Sequence, residues 1–157
     1  MAKPDQAGRR GLSAIALLDL LKRGSYRVAV VVDPVRVSEA VRSQAAEQCW
    51  PLVTIGLPLA EELRDVRPDE RGRNAQDFLY RVVGDAGPGP VALVEIDLLF
   101  EPTLQLDVLR LLRLAGNRCP ILVAWPGTYE DEVLAYAVPA HRHYRYWSNP
   151  EVVIAQL

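Results

Sequence analysis

The chain has little cysteine or histidine, no long apolar run and no excess of one charge. Its two cysteines, Cys49 and Cys119, stand far apart, which excludes a disulfide framework and a zinc-type ligand spacing. Both are expected to be buried thiols of a reducing compartment. No apolar run approaches the roughly 20 residues of a membrane span. The N-terminus lacks the layout of a secretory signal, so a cytoplasmic protein with no membrane partner is expected. With 18 basic and 20 acidic residues the net charge is −2. That removes any global attraction to nucleic acid or anionic lipid but leaves room for a local basic patch. No Gly-x-Ser-x-Gly elbow is present, and the two histidines and two cysteines form no evident nucleophilic triad. There is no internal repeat and no low-complexity segment.

What is present is ordinary globular material. A length of 157 residues, half of them apolar, suits one domain with a proper core. Residues 1–10 are polar and expected to be mobile, with a single domain over 11–157. Ala14, Leu17, Leu18 and Leu21 predict a helix over 12–23, ended by Gly24. Apolar runs predict strands at 27–32, 91–96 and 119–125, the first of them central in the sheet, and a short strand at 51–56. Between them, helices are expected over 37–48, 57–66, 74–84 and from Glu101 to about Ala115. A further strand is expected at 133–138 and a last one at 151–155. This alternation argues a three-layer α/β fold, a mostly parallel sheet flanked by helices.

The most informative stretch is Arg27-Val-Ala-Val-Val-Val-Asp33-Pro-Val-Arg-Val-Ser38-Glu39-Ala40. It reads as a buried strand, a turn and a helix start. A P-loop carries G-x-x-x-x-G-K-[ST] there, with glycine backbone and lysine around phosphate and a hydroxyl on magnesium. Here Asp33 and Ser38 stand for the glycines, Glu39 for the lysine and Ala40 for the hydroxyl residue. Two like charges about 4 Å apart repel by roughly 4 kcal/mol at an effective dielectric near 20. A triphosphate facing Asp33 and Glu39 would meet that repulsion, so neither ATP nor magnesium is expected as a cofactor. The plain structural alternative makes Asp33 an N-cap and Pro34 the first helical residue; both readings leave triphosphate poorly bound.

Other candidates are few. Glu95, after an apolar strand, and Asp97 occupy the place of a magnesium-holding acid, but without a phosphate loop a lone carboxylate organises no hydrolysis. Arg67, Arg71 and Arg73 lie in a polar segment that is either a solvated connection or a contact surface. His141 and His143 could face one metal, yet no carboxylate or cysteine stands at a matching spacing, so no metal site is assigned. The same stretch holds Arg142, Arg145, Tyr146 and Trp147. Basic residues among aromatics suit a protein interface or single-stranded nucleic acid, or simple aromatic packing.

From the last third of the chain a family resemblance emerges. It is carried by Asp97-Leu-Leu-Phe-Glu-Pro-Thr-Leu104, Asp107-Val-Leu-Arg-Leu-Leu112, Asn117-Arg118, Val123-Ala-Trp-Pro-Gly-Thr128, Leu134-Ala-Tyr-Ala-Val-Pro-Ala-His141 and Tyr144. In this order the segments resemble the BrxF family, small P-loop-containing proteins of type 3 BREX bacteriophage-defence systems. The resemblance runs from about Tyr26 to Trp147. It implies a P-loop NTPase or AAA-like core and a place beside the methyltransferase, helicase and larger ATPase of such a system, with Thr128 near a polar sensor position. The phosphate-loop residues do not carry over to Asp33, Ser38, Glu39 or Ala40. The expectation is therefore a pseudo-ATPase subunit acting through protein–protein interaction. The alternatives are a divergent ATPase using Glu95 or Asp97 with a neighbour's basic finger, or a DNA-binding accessory module. Other defence subunits are the expected partners; DNA and a second copy of the chain are the further candidates.

Overall fold

The fold is seen in a computed structural model that describes residues 9, 10, 16, 19, 21, 23, 26–32 and 35–156. Its centre is a sheet of parallel strands: β1 (Arg9–Arg10), β2 (Val28–Val32), β3 (Leu52–Thr54), β4 (Val91–Val94), β5 (Ile121–Trp125) and β9 (Val153–Gln156). Their order across the sheet is β1-β9-β2-β5-β4-β3, and every pairing is parallel. The α/β architecture with a parallel sheet flanked by helices is thus the one the strand–helix alternation predicts.

Strand β2 is central because its sequence, VAVVV, is apolar on both faces and β-branched, and all five residues are buried. Successive side chains alternate between faces. Val28, Val30 and Val32 join Val91, Leu93, Ile121 and Val123 on one side. Ala29 and Val31 join Ala92, Val94, Leu122 and Ala124 on the other. Each fully buried valine or leucine contributes about 2 kcal/mol relative to exposure.

Helix α1 (Val37–Glu47) covers the second, alanine-rich face through Val41 and Ala45. Small residues on both partners let its backbone approach the sheet. The first face is covered by α2 (Gly56–Leu63), α3 (Arg71–Asp85) and α4 (Val108–Gly116), which send Leu59, Leu63, Phe78, Leu79, Val83, Leu111 and Leu112 into the larger core. A separate three-stranded antiparallel sheet, β6 (Gly127–Glu130), β7 (Val133–Tyr136) and β8 (Arg145–Ser148), is inserted between β5 and β9.

Several local expectations are corrected. The helix expected over 101–115 is broken: a 3-10 turn covers Pro102–Leu104, Gln105 is left-handed at φ 52, and α4 begins only at Val108. Helix α1 is flanked by Arg36, not by Asp33, at its N-cap, and Arg36 makes no side-chain cap bond. Cys119 is buried as expected, whereas Cys49 is exposed beyond the end of α1. Segment 67–73 is not all loop, because α3 starts at Arg71. Of the helix expected over 12–23, Ala16, Asp19, Leu21 and Arg23 are described and are helical. Residues 1–8 lie outside the described residues, and Arg9–Arg10 pair with Ala155–Gln156. Among the described residues no helix is long and apolar enough to cross a membrane.

Candidate functional site

In open α/β sheets, ligand chemistry is found outside the carboxyl ends of the strands. Strand β2 runs toward α1 there. Asp33 and Pro34 lie outside the described residues; Val35 and Arg36 form a turn, and α1 follows. Ser38 and Ala40 are half-buried in its first turn, while Glu39 is exposed. Arg36 and Glu39 lie 3.9 Å apart, both about three-quarters exposed. A pair so wet contributes about 0–1 kcal/mol.

Two strands away, β4 ends at Val94, and Glu95 follows in the left-handed region at φ 56. A glutamate there costs about 1–2 kcal/mol relative to ordinary backbone. The turn is held by Ile55, whose N–H donates to the Val94 carbonyl at 3.1 Å. Glu95 then reaches α1: the Arg42 guanidinium donates to its Oε1 at 3.1 Å. Arg42 is the functional residue the sequence did not suggest. The pair is partly exposed, with side chains 40% and 50% accessible.

Asp97 opens the 3-10 turn Asp97–Phe100 and is exposed. It borders Tyr136, whose hydroxyl is pushed above the usual tyrosine range by burial and then by the Asp97 and Glu101 carboxylates. The carboxyl end of β5 is closed by aromatic packing. Phe100 stacks on Tyr136 with centroids 3.9 Å apart, and Trp125 meets both Phe100 and Trp147 edge-on. The Trp125 indole donates to the Ala135 carbonyl at 2.9 Å. Thr128 is exposed on β6. No group of three or more metal-type ligands occurs among the described residues.

The two candidate contact stretches come together around residues 102–107. Gln105 and Leu106 border one hollow of about 600 Å³ with Tyr144, Arg145, Tyr146 and Trp147. They also border another of about 570 Å³ with Asp69 and Arg73. Some of the candidates are already engaged. Arg145 donates to the Leu106 carbonyl at 2.6 Å, and the Trp147 indole to Asp107 Oδ1 at 3.2 Å. Arg67 holds Asp69 at 2.7 Å, and its guanidinium keeps the Asp69 carboxyl below the ordinary carboxylate range. Arg71 donates to the Val66 carbonyl and Arg142 to the His143 ring. Arg73 and Tyr146 remain exposed. Asp107, exposed just before α4, also ties that helix to β8 through the Trp147 indole.

Comparison with protein-family models, with curated proteins and with solved structures returns no match.

Proposed function

We propose that this chain is a catalytically silent subunit of a BREX-like bacterial antiphage assembly, built on a P-loop, AAA-like core and acting by docking other subunits. The segment series from Asp97 to Tyr144 supports the family. The strand order supports the core: β5 lies between β2, which leads to 35–40, and β4, which ends at Glu95. An AAA-like core likewise sets one strand between its phosphate-loop strand and its acid-bearing strand.

The observation that carries the silent reading is the Arg42–Glu95 pair at 3.1 Å, together with Glu39 in the first turn of α1. A hydrolytic site needs a cation on phosphate and a free acid near magnesium. Here the helix start presents an acid, and the strand-end acid is bound to an arginine. An acid stands where triphosphate chemistry requires a cation, and the strand-end acid already has a basic partner.

Two measurements test the proposal. A tagged chain is co-expressed with its neighbouring genes, purified and examined by mass spectrometry. Co-purification of methyltransferase, helicase or larger ATPase subunits is expected; a chain that elutes alone in the presence of all of them overturns the docking role. Isothermal titration with magnesium-ATP, with and without captured partners, is expected to give no binding heat. Saturable heat would restore the divergent-ATPase alternative.

A further inference from the structure

A third hollow extends the two already described. It measures about 580 Å³, lies between the entrance to β2 and α4, and is lined by Tyr26, Arg27, Arg110 and Arg113 among others. Asp107 borders both this hollow and the one beside β8, and Gln105 and Leu106 carry that one on to the hollow beside α3. The three adjoin as a band around residues 102–107.

The band is basic in an acidic protein. Five arginines line it, Arg27, Arg73, Arg110, Arg113 and Arg145, against the three carboxylates of Asp69, Asp107 and Glu151. The whole chain carries −2. Some of these charges are spent internally. Arg113 meets Glu151 at 2.7 Å, Arg27 donates to the Gly116 carbonyl, and Asp107 accepts from the Arg110 backbone and Trp147. The guanidinium groups of Arg73 and Arg110 have no ion-pair partner among the described residues. The hollow that adjoins both of theirs carries an aromatic platform. Tyr144 and Tyr146 have ring centroids 6.0 Å apart and planes 29° apart, and Tyr146 is 63% exposed.

We infer that this band binds single-stranded nucleic acid, with phosphates on Arg110 and Arg73 and an unpaired base stacked on Tyr146. Free guanidiniums flanking an exposed aromatic face are what such a strand requires, because phosphate charge and base π-surface recur along it. A duplex satisfies only half of this, since its bases are already stacked on one another. An acidic peptide would meet the charges but leave Tyr146 unused. None of its proposed contacts uses Glu39, Arg42 or Glu95.

Fluorescence anisotropy with labelled oligothymidine and oligouridine of about 20 residues, at about 50 mM salt, tests the inference. Binding of either is expected, and the tighter one identifies the natural sugar. Affinity should drop roughly tenfold by about 200 mM salt, if two or three phosphates each contribute a slope near −0.7. Tyr146→Ala should weaken binding about fivefold or more. Arg73→Glu and Arg110→Glu should weaken it further. Arg36→Glu, an equal charge change at the opposite end of β2, should leave binding unchanged. Circular dichroism verifies each fold; exposed, unpartnered Arg73 gives a decisive variant even if Tyr146→Ala unfolds. No anisotropy change overturns the inference. So does equal loss with Arg36→Glu, equal affinity for a duplex, or equal affinity for labelled oligoglutamate.

Discussion

The indole of Trp147 donates to Asp107 Oδ1 at 3.2 Å, the same oxygen that accepts the Arg110 backbone N–H at 3.1 Å and so caps α4. One carboxylate therefore starts a helix and pins β8 to it. Trp147→Phe keeps one aromatic ring against Phe100 and Trp125 and deletes the donor with the second ring of the indole. It should cost about 1 kcal/mol. Asp107→Ala removes cap and anchor together and should cost about 2 kcal/mol. Urea unfolding with an unchanged m-value checks both; equal losses from the two would mean that Asp107 does no capping.

Gly127 opens β6 opposite Tyr136, and a methyl group on it would run into the Ala135 carbonyl. That carbonyl also accepts the buried Trp125 indole. Gly127→Ala must therefore displace β7 or break the indole bond. The expected loss is about 3 kcal/mol, or roughly 10 °C in melting temperature for a chain of this size. Gly89→Ala, which meets nothing within 4 Å, should melt at or slightly above the parent temperature.

Strands β2, β4 and β5 were legible because their residues are apolar on both faces, a pattern that only a covered central strand needs. The antiparallel sheet was harder to see. Its β8, Arg-Tyr-Trp-Ser, alternates half-buried with exposed positions and carries no aliphatic residue. The break before α4 was hidden because Leu104, Val108, Leu111 and Leu112 keep helical spacing through it. Only the left-handed Gln105 shows that the chain turns there. At the site, Glu95 could be picked out from its place after an apolar run. Arg42 could not, since 53 residues separate the two and no local rule links a mid-helix arginine to a distant strand end. The tie from Asp107 to Trp147 has no local signal either, because 40 residues separate the two and only the tertiary fold joins them.

Stability should fall in alkali earlier than arginine-rich surface pairs would dictate. Burial raises the Cys119 thiol above its ordinary 9.0, and burial raises the Tyr129 and Tyr136 hydroxyls above 10.0, with nearby carboxylates adding. Each raised group is held neutral in the fold but ionises at its ordinary value once unfolded. Its contribution is complete below that value and is lost as pH rises through the folded one. Unfolding free energy should be flat up to about pH 9 and then decline, by at most about 1.4 kcal/mol per pH unit per group. Tyr136→Phe keeps the stack on Phe100 and should make the decline shallower above about pH 10. An unchanged slope in that variant would remove Tyr136 from the account.

The turn between β6 and β7 carries a correctable strain. Glu130 pairs with Val133, leaving Asp131 and Glu132 as a two-residue loop, with φ of 49 and 61. Positive φ at both positions is the hairpin form that favours Asn-Gly, because its twist matches that of the strands. Aspartate tolerates the left-handed region better than glutamate, whose side chain gains nothing there. Glycine at the second position removes about 1–2 kcal/mol of backbone strain and returns about 0.5–1 kcal/mol as extra freedom of the unfolded chain. Glu132→Gly should therefore stabilise the protein by about 0.5–1 kcal/mol, a rise of roughly 2–3 °C. The bond from the Asn149 N–H to the residue 132 carbonyl is a backbone contact and survives the change. A second readout separates strain relief from simple loss of charge. Glu132→Gln removes the same charge but keeps the side chain, so its melting temperature should stay well below that of Glu132→Gly; equal gains would assign the effect to repulsion among Glu130, Asp131 and Glu132.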